Sequence, residues 1–242
     1  MNKRAGCLSI VVDNETLRED LVRDWGFSCH IRTQDKRVLF DTGSDPLLLL
    51  GNMERMGIDP ARVDTVVLSH AHWDHIGGLA GVLGSGSRPT VVAPRSFPDR
   101  FFQEMVSMDV SCRAVDDSAE IAPGVFTTGE MGRDIPEQAL VVQTGGRLVV
   151  VTGCAHPGIV EIARKVKETF HGPIGLLIGG FHLMGKGSGE VRRISGQLED
   201  LGVYRIAPCH CTGAGPSEVI ASQFGDRYLT CGAGLEVALP FS

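Results

Sequence analysis

The most constraining feature of this chain is a group of four metal-capable side chains packed into six positions. The group runs from His70 to His75 with the spacing His-x-His-x-Asp-His, and it follows an apolar run at 63–68. Gly77 and Gly78 come shortly after it. An apolar run that ends beside glycine is typical of a buried strand leading into a loop. The sequence therefore predicts a strand whose carboxyl end carries metal ligands, where α/β scaffolds tend to display their chemistry.

Two imidazoles separated by one residue on an irregular turn can converge on one ion. This geometry assigns His70 and His72 to a first cation and leaves Asp74 and His75 to serve a second. Imidazole and carboxylate ligands suit zinc, iron or manganese. The residues therefore predict two divalent cations as cofactors, with zinc as the expected metal and manganese or iron as alternatives.

Three further histidines have matching contexts, because each lies just past an apolar strand and beside glycine. They are His156, His182 and His210, which follow predicted strands at 148–151, 174–178 and 204–207. Six of the eight histidines therefore stand at strand ends, which predicts one shared site. For His182 two roles stay open, a contact to substrate or a support for another ligand. His30 and His171 lie in ordinary strand and helix-end contexts and are predicted to be structural.

The rest of the chain predicts one α/β domain over residues 1–242. Short strands dominate its first third, and strands alternate with helices in its second half. The stretch 94–137 is the least regular and lacks strong periodicity apart from 110–115 and 125–127. It predicts either a lid-like insertion over the site or a surface excursion packed by its own aromatics. Phe97–Met108 within it would serve as a lid or as a homodimer contact. Helices are predicted at 45–56, 157–170, 190–201 and 217–224, and a late strand at 228–230.

Composition excludes several classes of function. The net charge is -6 and no Lys/Arg cluster is present, which argues against a nucleic-acid partner. No apolar run reaches the roughly 18 residues that a membrane span needs, and the start of the chain is a poor signal peptide. The seven cysteines are an odd number and do not suggest a disulfide framework. We therefore expect a cytoplasmic protein with a small-molecule substrate.

The chain resembles the metallo-β-lactamase fold superfamily. The residues that carry the resemblance are His70, His72, Asp74, His75 and His210, with Phe40-Asp41-Thr42-Gly43 upstream. The resemblance covers essentially the whole chain and implies an α/β (α+β) fold, an αββα sandwich with a dinuclear metal site at the sheet edge. It also implies that the first metal takes His70, His72 and one later histidine, whereas the second takes Asp74, His75 and His210. Asp41 would support the metal-binding loop through hydrogen bonds to its ligands.

Six motifs narrow the resemblance to one subgroup. They are WGFS at 25–28, FDTG, LSHAHWDHIGGL, TGCAHPGI, GGFHL and PCHCTG. Together they are similar to the metal-dependent hydrolases of β-lactamase superfamily II. That subgroup includes an archaeal dihydropterin–ribofuranosylaminobenzene phosphate synthase.

Two departures from the superfamily pattern leave the third ligand of the first metal open. Where the pattern has a histidine after glycine, this chain has Glu130, which would be a ligand or a substrate contact. Where the pattern has a bridging aspartate after Thr-Gly, this chain has Cys154, with His156 two residues on. His156 is favoured because imidazole matches the usual ligand set. Cys154 would bridge or ligate, or else be a small buried residue under the site.

Two cysteines flank His210 in the sequence. Because strand side chains alternate in direction, Cys209 and Cys211 are expected to point away from it, and both are predicted to be structural.

The predicted function is a dinuclear-metal-dependent hydrolase that acts on a phosphorylated or ester-type small molecule. A bound metal lowers the pKa of water from roughly 15.7 to about 7, which makes metal-bound hydroxide the predicted nucleophile. His182 is the candidate for stabilising the developing anion or contacting a phosphate, and Asp74 is a candidate for accepting a proton.

The alternative is a pterin-type synthase. In that transferase the metals would activate the pyrophosphate leaving group of a dihydropterin diphosphate for attack by an arylamine ribofuranosyl phosphate. A di-iron redox protein is disfavoured, because no flavodoxin-like or rubredoxin-like segment fits into 242 residues. A non-enzymatic binding module is disfavoured as well, since such modules usually lose their ligands and this chain keeps them.

Overall fold

The computed structural model describes residues 6–240, which form strands in two sheets and helices outside them. The strands are β1 (Gly6–Val12), β2 (Ser28–Arg32), β3 (Arg37–Phe40), β4 (Thr65–Val67), β5 (Thr90–Pro94), β6 (Cys112–Val115), β7 (Asp117–Ala122), β8 (Val125–Gly129), β9 (Leu140–Thr144), β10 (Arg147–Thr152), β11 (Ile174–Gly180), β12 (Arg205–Cys209) and β13 (Glu236–Leu239). The helices are α1 (Pro46–Arg55), α2 (Trp73–Ile76), α3 (Leu79–Gly84), α4 (Asp99–Ser107), α5 (Ile159–Phe170), α6 (Ser188–Asp200) and α7 (Ala214–Phe224).

Both sheets are mixed. The first has the strand order β13-β1-β2-β3-β4-β5-β6, and the second has the order β12-β11-β10-β9-β8-β7. In the first sheet β3, β4, β5 and β6 run parallel, and in the second β10, β11 and β12 do. The carboxyl ends of parallel strands share one edge of a sheet, and ligands of open α/β sheets bind beyond that edge. Each sheet therefore has one edge at which its loops can form a site.

Three apolar clusters hold these layers together. The first lies between the sheets and joins Phe40 and Val67 of one to Leu140 and Ile178 of the other. The second packs α5, α6 and α7 on the outer face of the second sheet, and the third packs α1, α3 and α4 on the outer face of the first. The order of layers is therefore helix, sheet, sheet, helix, which confirms the predicted αββα sandwich. Within the described residues, no helix is long and apolar enough to cross a membrane.

The four predicted helices are present as α1, α5, α6 and α7, with bounds within three residues of those expected. Two expectations about the remaining chain are wrong. The late strand at 228–230 is reduced to an isolated bridge between Tyr228 and Ile206. The stretch 94–137 consists largely of regular secondary structure. It forms α4, the strand β6 of the first sheet, and the strands β7 and β8 of the second sheet.

The stretch 94–137 was hard to recognise for a physical reason. The strands β6 and β7 are the edge strands of their sheets, so their half-exposed faces carry polar residues that blur the apolar periodicity. Its aromatic part packs inward, with Phe97 and Met105 buried against the outer face of the first sheet. A lid-like role of the stretch stays a prediction. A homodimer contact through Phe97–Met108 stays a prediction.

Two glycines let α2 pack against the loop that follows β3. A Cβ atom on Gly77 would lie 2.1 Å from the carbonyl oxygen of Ser44, and one on Gly78 would lie 2.1 Å from that of Thr42. Both glycines have ordinary helical φ values, so space rather than backbone conformation requires them. The loop that carries the metal-capable residues is therefore fixed against its neighbour by direct backbone packing.

We expect Gly77→Ala to lower the free energy of unfolding by about 1–3 kcal/mol, because the two loops would have to separate. Gly84→Ala is the matched control, since no atom lies within 4 Å of an added Cβ there. It should leave stability unchanged or raise it by up to about 1 kcal/mol, because alanine favours the helix. Urea unfolding of chelator-treated protein measures both variants, and equal effects would contradict this account of the packing.

Candidate metal centre

The predicted ligands converge at the carboxyl ends of strands from both sheets. From the first sheet, His70 follows β4, His72 caps α2, and Asp74 and His75 lie within α2. From the second sheet, His156 follows β10, His182 follows β11 and His210 follows β12. The sandwich therefore brings side chains that are up to 140 positions apart into one place, as the sequence predicted.

A first ligand group consists of His70, His72 and His156. One ring nitrogen from each lies within 4.8 Å of the other two. The Nε2 atoms of His70 and His156 are buried without a hydrogen-bond partner among the described residues. Burial and the neighbouring imidazoles lower the pKa of His156 to about 4, so its ring is neutral at pH 7. Three neutral imidazoles with lone pairs turned to one point fit a divalent cation such as zinc.

A second ligand group consists of Asp74, His75 and His210. Asp74 Oδ2 lies 3.4 Å from His210 Nε2 and 3.8 Å from His75 Nε2. Burial would raise the pKa of Asp74, but the neighbouring imidazoles of His210 and His75 lower it to about 2. The carboxylate is therefore ionised and makes a good ligand but a poor proton acceptor at neutral pH.

Asp41 sets the tautomers of two ligands. Its Oδ1 accepts a hydrogen bond from Ser69 N at 2.6 Å, and its Oδ2 accepts from Ser69 Oγ and His75 Nδ1, each at 2.7 Å. Because the Ser69 hydroxyl gives its proton to Asp41, it accepts from His70 Nδ1 at 2.9 Å. Both rings thus carry their proton on Nδ1 and direct Nε2 into the site. Asp41 lies under the ligands, in the supporting position that the resemblance implied.

A separate pair of side chains holds His210, and sequence reasoning missed it. Asp13 Oδ1 accepts from His210 N at 2.9 Å, and Asn14 Oδ1 accepts from His210 Nδ1 at 3.0 Å. An amide oxygen can only accept, so this ring also carries its proton on Nδ1. Burial raises the pKa of Asp13 to about 6. Asp-Asn after a strand is an ordinary turn signal, which concealed this role.

Glu137 holds the loop that carries His156, and it too was missed. Its buried carboxylate accepts backbone hydrogen bonds from Cys154 and Ala155 at 2.9 Å each and from His156 at 2.8 Å. Burial raises the pKa of Glu137, and the three N–H donors oppose that rise. No local sequence motif points to such a residue, because its partners lie 17–19 positions further along the chain.

The two cysteines that flank His210 differ in orientation, which corrects one expectation. Cys209 faces the core between the sheets, as predicted. Cys211 instead groups with Cys154 and His210 at the site. The reason is that His210 has a φ of 50° and opens a 3₁₀ turn, so the strand alternation ends at Cys209.

Glu130 is not brought to the site, which corrects its candidacy as a ligand. Its carboxylate accepts a hydrogen bond from Ser96 N at 2.8 Å. It belongs to none of the groups of metal-capable side chains found within residues 6–240. The backbone of the next residue, Met131, pairs with that of Glu137, and the Glu130 side chain lies instead beside the loop after β5.

Left-handed backbone is concentrated at the site. Among the described residues, six other than glycine have positive φ, and four of them follow strands at this edge: Asp41, Ala155, His182 and His210. Such conformations cost on the order of 1–3 kcal/mol each and tend to cluster at functional sites. The surrounding hydrogen bonds of Asp41 and His210 offset that cost, which indicates that the fold is built to place these side chains.

Two cavities adjoin the ligand groups. A cavity of about 370 Å³ lies beside His156 and is lined by His182, Lys186 and Arg193. His182 is exposed, its ring centroid lies 4.4 Å from that of His156, and a hydrogen bond with Cys211 raises its pKa. A larger cavity of about 690 Å³ lies beside His210, and its lining includes Trp25 and Tyr228. The site therefore has room for substrate on two sides.

The comparison with known protein families and curated sequences agrees with this geometry. The sequence model of the Metallo-beta-lactamase superfamily matches residues 28–156. The chain is 28% identical over 244 residues to the 7,8-dihydropterin-6-methyl-4-(beta-D-ribofuranosyl)-aminobenzene-5'-phosphate synthase of Methanocaldococcus jannaschii, covering 82% of this chain and 83% of that protein. It is 25% identical over 236 residues to an uncharacterized protein of the same archaeon, covering 85% and 90%.

Solved structures show the same fold. The crystal structure of a metal-dependent hydrolase of the beta-lactamase superfamily superposes with a TM-score of 0.82 at 27% identity, covering 97% of this chain and 99% of that one. The metallo-beta-lactamase fold protein YhfI from Bacillus subtilis superposes with a TM-score of 0.70 at 16% identity, covering 97% and 99%. The second likeness concerns the fold alone.

We expect Asp41→Asn to weaken metal binding by roughly 10- to 100-fold, the usual cost of losing a partner that orients a metal ligand. Asparagine tolerates left-handed backbone, so the substitution tests the carboxylate rather than the conformation. Competition between the protein and a chromogenic chelator measures the affinity. Asp45→Asn is the control, because Asp45 caps α1 away from the ligands. Equal affinities for Asp41→Asn and unaltered protein would contradict the role of Asp41.

Proposed function

The chain belongs to the metallo-beta-lactamase superfamily, and we propose that it is a metal-dependent hydrolase of a phosphorylated or ester-type small molecule. The observation that carries this proposal is the convergence of the two ligand groups at one cleft, with buried, unpartnered Nε2 atoms on His70, His156 and His210. Two divalent cations, zinc by expectation, would supply Lewis acidity and an ionised water at neutral pH when bound by these residues.

The chain's own residues preorganise this cleft. Asp41 and Asn14 keep the Nδ1 protons of the ligand histidines directed outward, so three lone pairs face the site without any rearrangement. Asp74 contributes one fixed negative charge beside His75 and His210. The exposed ring of Trp73 and the half-exposed ring of Trp25 border the mouth, where they would cover apolar parts of a substrate. Such preorganised polar groups in a partly dry cleft are the main source of rate enhancement in many enzymes.

The cavity beside His156 supports a substrate with an anionic group. Lys186 Nζ is paired with Glu190 at 2.7 Å, so its charge is partly offset. Arg193 donates to the neutral amide oxygen of Gln197 at 3.3 Å, and that partner leaves its charge intact. A planar guanidinium suits phosphate or carboxylate groups, which it can bind through two parallel hydrogen bonds. His182 lies between Arg193's cavity and the first ligand group and would donate to an oxygen of the reacting group.

A transferase of the pterin-synthase type is the second candidate. It is supported by the likeness to the archaeal synthase, which extends over 82% of this chain, and by the second cavity beside His210. The Trp25 ring centroid lies 5.2 Å from that of His210, so Trp25 could stack on a flat ring next to the second ligand group. Two cavities give a hydrolase room for one two-ended substrate, and they give a transferase room for a donor and an acceptor.

We also propose a cytoplasmic location and a small-molecule partner. The seven cysteines are all free thiols, which suits a reducing compartment. The excess of acidic residues, with a net charge of -6, disfavours a polyanionic partner.

We expect metal-loaded protein to convert phosphate esters or lactones in ¹⁸O-labelled water, with one labelled oxygen per turnover entering the phosphate or the carboxylate that forms. His72→Ala should reduce this activity by more than the roughly 10- to 100-fold that loss of an outer partner costs, because a ligand is lost. His171→Ala is the matched control, since His171 only ends α5. The transferase would be favoured over the hydrolase if dihydropterin diphosphate gave an unlabelled product, and gave it only when an arylamine acceptor was present. Undiminished activity of His72→Ala would contradict both.

Arg193→Gln should raise KM for an anionic substrate roughly tenfold, equivalent to about 1.4 kcal/mol, and should leave kcat unchanged. The reason is that the lost contact would bind the substrate and the transition state equally well. Arg192→Gln removes the same charge one position away, outside the residues that line the cavity, and should leave KM unaltered. Steady-state kinetics at fixed ionic strength measure both. A similar rise in the two variants would indicate a general charge effect and would contradict a specific contact through Arg193.

A further inference from the structure

The second ligand group is supported by the long segment between β1 and β2. This β1–β2 loop covers residues 13–27 and contains no helix or strand, which over about 15 residues is uncommon and usually functional. Asn14 accepts a hydrogen bond from His210 Nδ1 at 3.0 Å and donates one to His210 O at 3.1 Å. Phe27 N, at the end of the loop, donates to Asp74 O at 3.2 Å. The loop therefore contacts two of the three members of the second ligand group.

Asn52, on the buried face of α1, ties the two limbs of this loop together. Its side chain is fully buried. Nδ2 donates to Val11 O at 2.9 Å and to Val22 O at 2.7 Å, and Oδ1 accepts from Val22 N at 2.9 Å. The side chain of Val22 is 47% exposed, so α1 holds the backbone of the loop at this point. We propose that Asn52 is a positioning residue, which fixes the β1–β2 loop and, through it, the second ligand group.

The residue type at position 52 fits this role. Asparagine is a poor residue for the interior of a helix, and buried amides in proteins are hydrogen-bonded. The pairing of β1 with β2 shifts register between Ile10 and Val12, as in a β-bulge, so Val11 has no partner residue on β2. Bulges are frequent next to active sites, where they redirect the chain. Asn52 therefore satisfies a carbonyl group at the point where β1 turns into the loop.

Hydrogen bonds between the limbs carry this constraint toward the ligands. Just beyond Val22, Asp24 N donates to Asp13 O at 3.3 Å. Two residues later, Gly26 N donates to Asn14 Oδ1 at 3.2 Å. That amide oxygen is the atom that also accepts from the Nδ1 of His210. The position of Val22 and the orientation of the ligand ring are thus linked through a short series of bonds.

The loop reaches only one of the two ligand groups. A Cβ on Gly26 would lie 2.8 Å from Asp74 O, so this limb lies directly against the backbone of a ligand. The Trp25 ring centroid lies 5.2 Å from that of His210. Within residues 6–240, no hydrogen bond joins the loop to a member of the first ligand group. Loss of Asn52 should therefore weaken the second cation position and spare the first.

The fluorescence of Trp25 tests whether Asn52 fixes the loop. The chain has two tryptophans, so Trp73→Phe leaves Trp25 as the only one. In that background, Asn52→Leu should shift the emission of metal-free protein to longer wavelength and increase its quenching by acrylamide, because the ring would leave His210. Asn52→Ala is the second variant and should shift the emission in the same direction. The space that it leaves is bordered by backbone polar groups that water can bind, which favours folding.

Zinc titration tests the consequence for the site. In competition with a chromogenic chelator, unaltered protein should take up two equivalents. In Asn52→Leu and Asn52→Ala one dissociation constant should rise roughly tenfold, the lower end of the cost of losing a partner that orients a metal ligand. The other dissociation constant should stay unaltered, because the loop makes no hydrogen bond to the first ligand group.

Thr33→Val is the matched control. Thr33 is buried just past the far end of β2, and its hydroxyl makes three hydrogen bonds, with Asp35 and Lys36 of the following turn. The variant therefore loses as many bonds to a loop as Asn52→Leu does, but at the end of β2 that lies away from the ligands. It should leave both the Trp25 emission and the two dissociation constants unaltered.

Four results would overturn the inference. They are unaltered emission in a folded Asn52 variant, equal changes in Thr33→Val, equal weakening of both equivalents, and failure of both Asn52 variants to fold, which would assign Asn52 to global stability. The inference rests on the proposed metal-dependent function, but the two fail separately. Absence of zinc uptake by unaltered protein would contradict that function, whereas the emission of the metal-free variants depends on the loop alone.

Discussion

The buried carboxylate of Asp41 is the interaction on which the site depends. It is fully inaccessible to solvent, and an unpaired charge in such a place would be strongly unfavourable. Three donors from Ser69 and His75 satisfy it, and those same donors orient the ligands of two metal positions. Because Gly153 of the second sheet packs directly against this carboxylate, Asp41 also sets the distance between the two halves of the site. The hydrogen bonds of one side chain therefore stabilise the loop and also position the ligand atoms.

The remaining supports repeat this arrangement at the other sheet. Glu137 holds the loop of Cys154 and His156, and Asp13 with Asn14 holds His210. Each support is a buried or half-buried polar side chain that binds backbone or Nδ1 and leaves the donor atoms of the ligands free. The positive φ values of Asp41, Ala155, His182 and His210 show that backbone strain is accepted at the same strand ends. Rigid supports of this kind leave substrate choice to the two cavities, where the basic residues and Trp25 lie.

Local patterns carried most of what the sequence could predict. An apolar strand followed by histidine and glycine is readable from a few residues, and it located His70, His156, His182 and His210 correctly in space. The sequence did not predict features that depend on residues distant in the chain or on a single backbone dihedral angle. Glu137 acts through hydrogen bonds to residues 17–19 positions away, and Cys211 turns inward because of the φ of His210. The edge strand β7 escaped prediction because all but one of its residues are exposed or half-buried, which removes the apolar alternation.

The central claim is that the two ligand groups each hold a cation. Anomalous diffraction from a crystal of zinc-loaded protein, recorded at the zinc absorption edge, tests it most directly. The account predicts two anomalous peaks per chain, one bounded by His70, His72 and His156 and the other by Asp74, His75 and His210. A single peak, or peaks bound by residues outside these groups, would contradict it.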